Sequence, residues 1–177
     1  MPHHIFSAAA AAILLSAGAA HAEGVEIYAL DMLDNTQAGY CLDIAGGQGP
    51  QADPSNGLQG HTCYSPSGEL FVDQTFESDR FADGVLFMPE FDVCAQVDGM
   101  DAGSAVSLAA CNGTEAQTFA FSGEGTITPA SAPGMCLTLG EDTRSGRSDT
   151  NQIKTLTLEE CSAEAAPRQT WGNRTAG

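Results

Sequence analysis

The chain has 177 residues, enough for one domain with a sizeable apolar core. Its formal net charge of −17 repels nucleic acid and anionic lipid, and the acidic residues are scattered as on a solvated exterior. Six cysteines with no Cys-x-x-Cys pair argue for three disulfides in an exported protein, against zinc or thiol redox chemistry.

The first segment, "MPHHIFSAAAAAILLSAGAAHA", is an apolar run ending in the small-x-small site Ala20-His21-Ala22. It reads as a secretory signal spanning 1–22 and cut before Glu23, although its n-region carries no Lys or Arg. A bilayer anchor needs about 20 uninterrupted apolar residues, and neither this run nor any later segment supplies them. A single mature domain over 23–177, secreted or periplasmic, is the expectation.

After the signal the chain repeats itself. "YCLDI", "VCAQV" and "MCLTL" each place a cysteine second in an alternating apolar segment. "LQGHTC", "VSLAAC" and "LTLEEC" each close on a second cysteine, and "DQTF", "AQTF" and "RQTW" follow in the same order. Gln74, Gln117 and Gln169 are 43 and 52 residues apart, which gives units of about 23–78, 79–121 and 122–177. Period-two alternation between Gly, Pro, Ser and Asn turns predicts short strands and an all-β fold. Tyr40, Leu42 and Ile44 then share an inward face with their counterparts in the other units, and Cys41 and Asp43 lie on the opposite face. Phe76, Phe119 and Trp171, once per unit, are expected as core plugs. Repetition favours one bridge per unit, Cys41–Cys63, Cys94–Cys111 and Cys136–Cys161, each worth about 3 kcal/mol in the chain-entropy account.

Cys-x-Asp, a second cysteine and then Gln-x-Trp or Gln-x-Phe, three times over residues 25–172, resembles the ricin-type lectin β-trefoil. The resemblance implies twelve strands in a barrel capped by hairpins, no catalysis, no cofactor and a shallow sugar groove in each unit. Galactose-type sugars are the implied ligands. By resemblance Asp43 matches the aspartate that grips the sugar, and Gln59 its polar partner. His61 stands in the place of the aromatic platform, Asp73 precedes the Gln-x-aromatic glutamine, and Gln74 is that glutamine.

If Cys41 faces Cys63 across an antiparallel pair, Asp43 lies opposite His61, and Gln59 follows one step along the same face. Three readings of this cluster stay open: a sugar site, a plain Asp43–His61 ion pair, or a site for a metal or another ligand. No Asp-x-Asp-x-Asp-Gly loop supports calcium, and no Gly-x-Ser-x-Gly element supports a hydrolase. The second unit offers Gln96, Ser107 and Ala109 at these positions, and the third Thr138, Thr157 and Glu159. At most one ordinary sugar site is therefore expected, in the first unit. The insertion "EDTRSGRSDTNQ" carries Arg144 and Arg147 and reads as a solvated tip or a contact for a protein partner. The expected function is a secreted, non-enzymatic carbohydrate-binding module. The alternative is an exported protein-interaction trefoil whose sugar sites have degenerated.

Overall fold

The protein is described here by a computed structural model covering residues 24–65 and 71–175; the expected signal over 1–22 lies outside the described residues. The six alternating cysteine-bearing segments fall on strands, two in each unit, and further short strands surround them. In the first unit they are β1 (Gly24–Ala29), β2 (Tyr40–Ile44), β3 (Leu58–Thr62) and β4 (Phe76–Glu77). The second holds β5 (Phe87–Met88), β6 (Val93–Val97), β7 (Val106–Ala109) and β8 (Phe119–Ala120). The third holds β9 (Glu124–Gly125), β10 (Thr128–Pro129), β11 (Met135–Leu139), β12 (Arg144–Ser145), β13 (Gln152–Lys154), β14 (Leu156–Glu160) and β15 (Trp171–Arg174). The fold is all-β and β-trefoil-like, and among the described residues its one α-helix is the short Ala166–Gln169. The described residues hold fifteen strands, not twelve, partly because the third-unit insertion itself forms the β12–β13 hairpin.

Each unit contributes an antiparallel pair: β2 with β3, β6 with β7, and β11 with β14. β1 pairs with β15, which ties the start of the described chain to its end. The apolar sides of the three pairs meet in one core. Tyr40, Leu42, Ile44, Ala95, Val97, Leu137 and Leu139 are buried there, as are Phe76, Phe119 and Trp171. Burying each such large side chain contributes roughly 2–3 kcal/mol. The Trp171 indole N–H donates to Leu137 O at 3.1 Å, so its polar edge is satisfied inside the core.

All three disulfides join the cysteines that repetition paired, with Cα–Cα distances of 5.0, 5.1 and 5.1 Å. The register differs from the one expected. Cys41 lies across from His61, and Asp43 across from Gln59, because Cys63 has already left the strand. The chain bends there, with Cys63 N bonded to Gly39 O, and the bridge closes diagonally. Cys94 and Cys136 show the same offset, facing Ala109 and Glu159. A slip of two residues keeps every side chain on its expected face but changes its partner.

Candidate functional site

The corrected register decides what Asp43 does. Gln59, directly opposite, donates its Nε2 to Asp43 Oδ1 at 2.9 Å, and Gln74 donates its Nε2 to Oδ2 at 3.0 Å. Asp43 is only 2% exposed, so little of it reaches solvent. Burial pushes its carboxyl up to about 7, against the two amide donors, and the nearby Asp73 charge pushes the same way. No Asp43–His61 ion pair forms among the described residues, which removes that reading. His61 instead donates Nδ1–H to Thr62 O at 3.0 Å, since a carbonyl can only accept. Burial lowers the His61 pKa, leaving a neutral ring at pH 7 with Nε2 as an acceptor.

Gln74, expected among the sugar-binding residues, does not line the cavity. It is completely buried, and its amide clamps the chain on both sides of Cys63, accepting from Tyr64 N and donating to Thr62 O. Gln117 does the same with Asn112 N and Ala110 O, and Gln169 with Ser162 N and Glu160 O. In each unit the same amide nitrogen also reaches the side chain two residues after the first cysteine: Asp43, Gln96 or Thr138. Gln74 therefore lies beneath the site and orients Asp43.

Above Asp43 is a cavity of about 460 Å³ lined by Asp43, Gln59, His61 and Asp73. The short 3-10 turn Val72–Gln74 delivers Asp73, whose Oδ2 accepts from Gly49 N at 2.8 Å. Among the described residues its buried Oδ1 has no hydrogen-bond partner, an arrangement costly enough to call for a donor. Gly47 is required here: a Cβ would stand 2.5 Å from Asp73 Oδ2. Two rings that the sequence reading missed complete the wall, Tyr64 and Phe71. His61 and Tyr64 have centroids 5.4 Å apart, and Tyr64 and Phe71 4.6 Å. The only signal for them was an aromatic residue directly after Cys63 and another just before Asp73.

The insertion is exposed over 144–150, as expected of a solvated tip, but its base docks against the first unit. β13 pairs with β3, placing Ile153 across from His61 and Lys154 across from Gly60. Arg144 and Arg147 thereby line the same cavity, and Arg144 Nη2 donates to Gln59 Oε1 at 3.1 Å. Both ends of the Gln59 amide are thus fixed, one by Asp43 and one by Arg144.

The family model of the ricin-type β-trefoil lectin domain matches residues 82–177, more than half of the chain. This chain belongs to that family. The matched span begins after Gln74, so the cavity's first-unit residues fall outside it. Among solved structures, the C-terminal half of an earthworm R-type lectin in complex with GalNAc is similar at 16% identity and TM-score 0.58, over 86% of this chain and 98% of that one. The β-trefoil lectin of the Vibrio vulnificus hemolysin/cytolysin, with N-acetyl-D-lactosamine bound, is similar at 16% identity and TM-score 0.52, over 88% and 96%. The designed threefold protein ThreeFoil shares 13% identity at TM-score 0.54, over 85% and 96%. At these identities the likeness carries the fold. No curated protein matches the chain.

Within this ricin-type frame all three units keep the glutamine clamp, but only the first keeps the acid. The position of Asp43 is Gln96 in the second unit, across from Ser107, and Thr138 in the third, across from Thr157. Thr138 turns its hydroxyl onto Cys136 O, an internal bond that a ligand does not share. In the first unit two carboxylates, an acceptor imidazole and a row of rings face one concavity. That set can accept several hydroxyl donors and cover an apolar ring face.

Proposed function

We propose that this protein is a secreted, non-enzymatic lectin with one ordinary sugar site, in the first unit, and a preference for galactose-type sugars. One observation carries the reading. Among the described residues Asp73 Oδ1 is buried without a donor, and Asp73 lines one cavity with Asp43, Gln59, His61, Tyr64 and Phe71. A sugar hydroxyl donating to the Asp73 carboxylate would make a bond of the stronger, charge-assisted kind. The rings take the C–H face of the pyranose. The cavity of about 460 Å³ falls in the range of small-molecule sites. The sugars in the structural neighbours, GalNAc and N-acetyl-D-lactosamine, support a galactose-type ligand.

Chromatography on immobilised lactose tests this. Wild type is expected to be retained, with Asp43→Ala and the outer-wall variant Tyr64→Ala eluting in the flow-through. Equal retention of all three proteins contradicts the assignment. The internal saturation of Asp43 by Gln59 and Gln74 favours a second reading, a protein-interaction trefoil with degenerate sugar sites. Wild type binding to no glycan on a broad array, together with a pulled-down partner lost on changing Arg144 and Arg147, supports that alternative.

A further inference from the structure

We infer that the sugar site continues into a second subsite across Tyr64, and that the ligand is an oligosaccharide which lies along both. This rests on the lectin reading and extends it to the length of the ligand. A cavity of about 590 Å³ adjoins the first, and Tyr64 and Asn151 line both. Its walls come from two parts of the chain distant in sequence. One is the loop 34–38 that leads into β2, and the other is the tip 149–152 of the third-unit insertion.

The floor is built in advance. The Thr62 hydroxyl accepts from Asn35 Nδ2 at 3.0 Å and from Gln152 N at 2.9 Å, and donates to Thr150 O at 3.0 Å. One donor and two acceptor positions are all a hydroxyl has, so this group ties the two walls together. Asn35 also bonds Gly39 O, and Asp34 accepts from Tyr40 and Thr143. These buried or engaged groups set the shape, and a preformed groove loses less entropy on binding.

The rim is different. Gln37 and Asp149 are exposed and make no side-chain hydrogen bond among the described residues. They offer donors and acceptors, and no Lys or Arg is among the described residues that line the second cavity, which suits the hydroxyls of a neutral sugar. A pyranose in the first cavity with its linkage directed past Tyr64 carries the next residue into the second, which Gln37 and Asp149 line. The insertion therefore adds length selection to a site that Asp43 and Asp73 already define.

Calorimetric titration of the full protein with galactose, lactose and a poly-N-acetyllactosamine tetrasaccharide tests this. The tetrasaccharide is expected to bind about tenfold or more tighter than galactose, the worth of one or two well-made hydrogen bonds. Gln37→Ala/Asp149→Ala should keep galactose binding and lose that gain. Equal affinity for galactose and the tetrasaccharide, or a gain untouched in the double variant, overturns the subsite and leaves the lectin reading standing. No binding of any of the three sugars overturns both.

Discussion

Asp43 is a carboxyl group under opposing pressures. Burial drives its folded pKa up to about 7 from 3.8, while two amide donors favour the charged form. Between those values the folded protein holds a proton that the unfolded chain has released. The Asp43 contribution to stability is therefore full below pH 3.8, declines as pH rises and is lost through about 7. Urea midpoints measured from pH 3 to 8 should fall across that window in wild type, by up to on the order of 4 kcal/mol in stability. Asp43→Asn should flatten the decline, and parallel curves for the two proteins would count against this account. Asp43, Gln59 and His61 were legible as cavity residues from their spacing around the cysteines, and Asp73 only from the family resemblance. Two things were not: the partner of Asp43, which depends on where Cys63 leaves the strand, and the wall of Tyr64 and Phe71, which no periodicity marks.

At the scale of elements, the β12–β13 hairpin is the part that makes this site unlike its two counterparts. Lys154, 3% exposed, reaches Glu141 O at 2.8 Å and Asp34 Oδ1 at 3.3 Å, and Thr62 holds the tip. Thr62→Val keeps the shape but leaves Asn35 Nδ2 and Gln152 N without that acceptor, at a cost of about 1–3 kcal/mol. Hydrogen exchange at Gln152 should speed up markedly in the variant while that of the β6–β7 pair stays unchanged. Unaltered exchange at Gln152 would mean that the tip is anchored by other contacts. The two cysteine-bearing strands of each unit were readable from alternation, because each buries one apolar face. The docking of the insertion was not, because "EDTRSGRSDTNQ" is polar throughout and only its pairing with β3 reveals a partner.

Across the whole molecule, three similar bridges serve different ends. Each closes a loop of similar size, at sequence separations of 22, 17 and 25, so each should contribute about 3 kcal/mol. Removing Cys41–Cys63 or Cys136–Cys161 by paired Cys→Ala changes should lower thermal stability comparably. Only the first should abolish retention on immobilised lactose, because that bridge fixes the end of β3 beside His61 and Tyr64. Loss of retention in both would tie binding to general stability. The triple repeat made the fold legible, since cysteines and glutamines recur at matching places and hold matching bonds.

The most direct measurement is a two-dimensional NMR titration of the isotope-labelled protein with galactose. Shifts confined to the surroundings of Asp43, Gln59, His61, Tyr64, Asp73 and Arg144 are the predicted result. Shifts centred on Gln96 or Thr138, or a spectrum unmoved at saturating sugar, would contradict the assignment of a sugar site to the first unit.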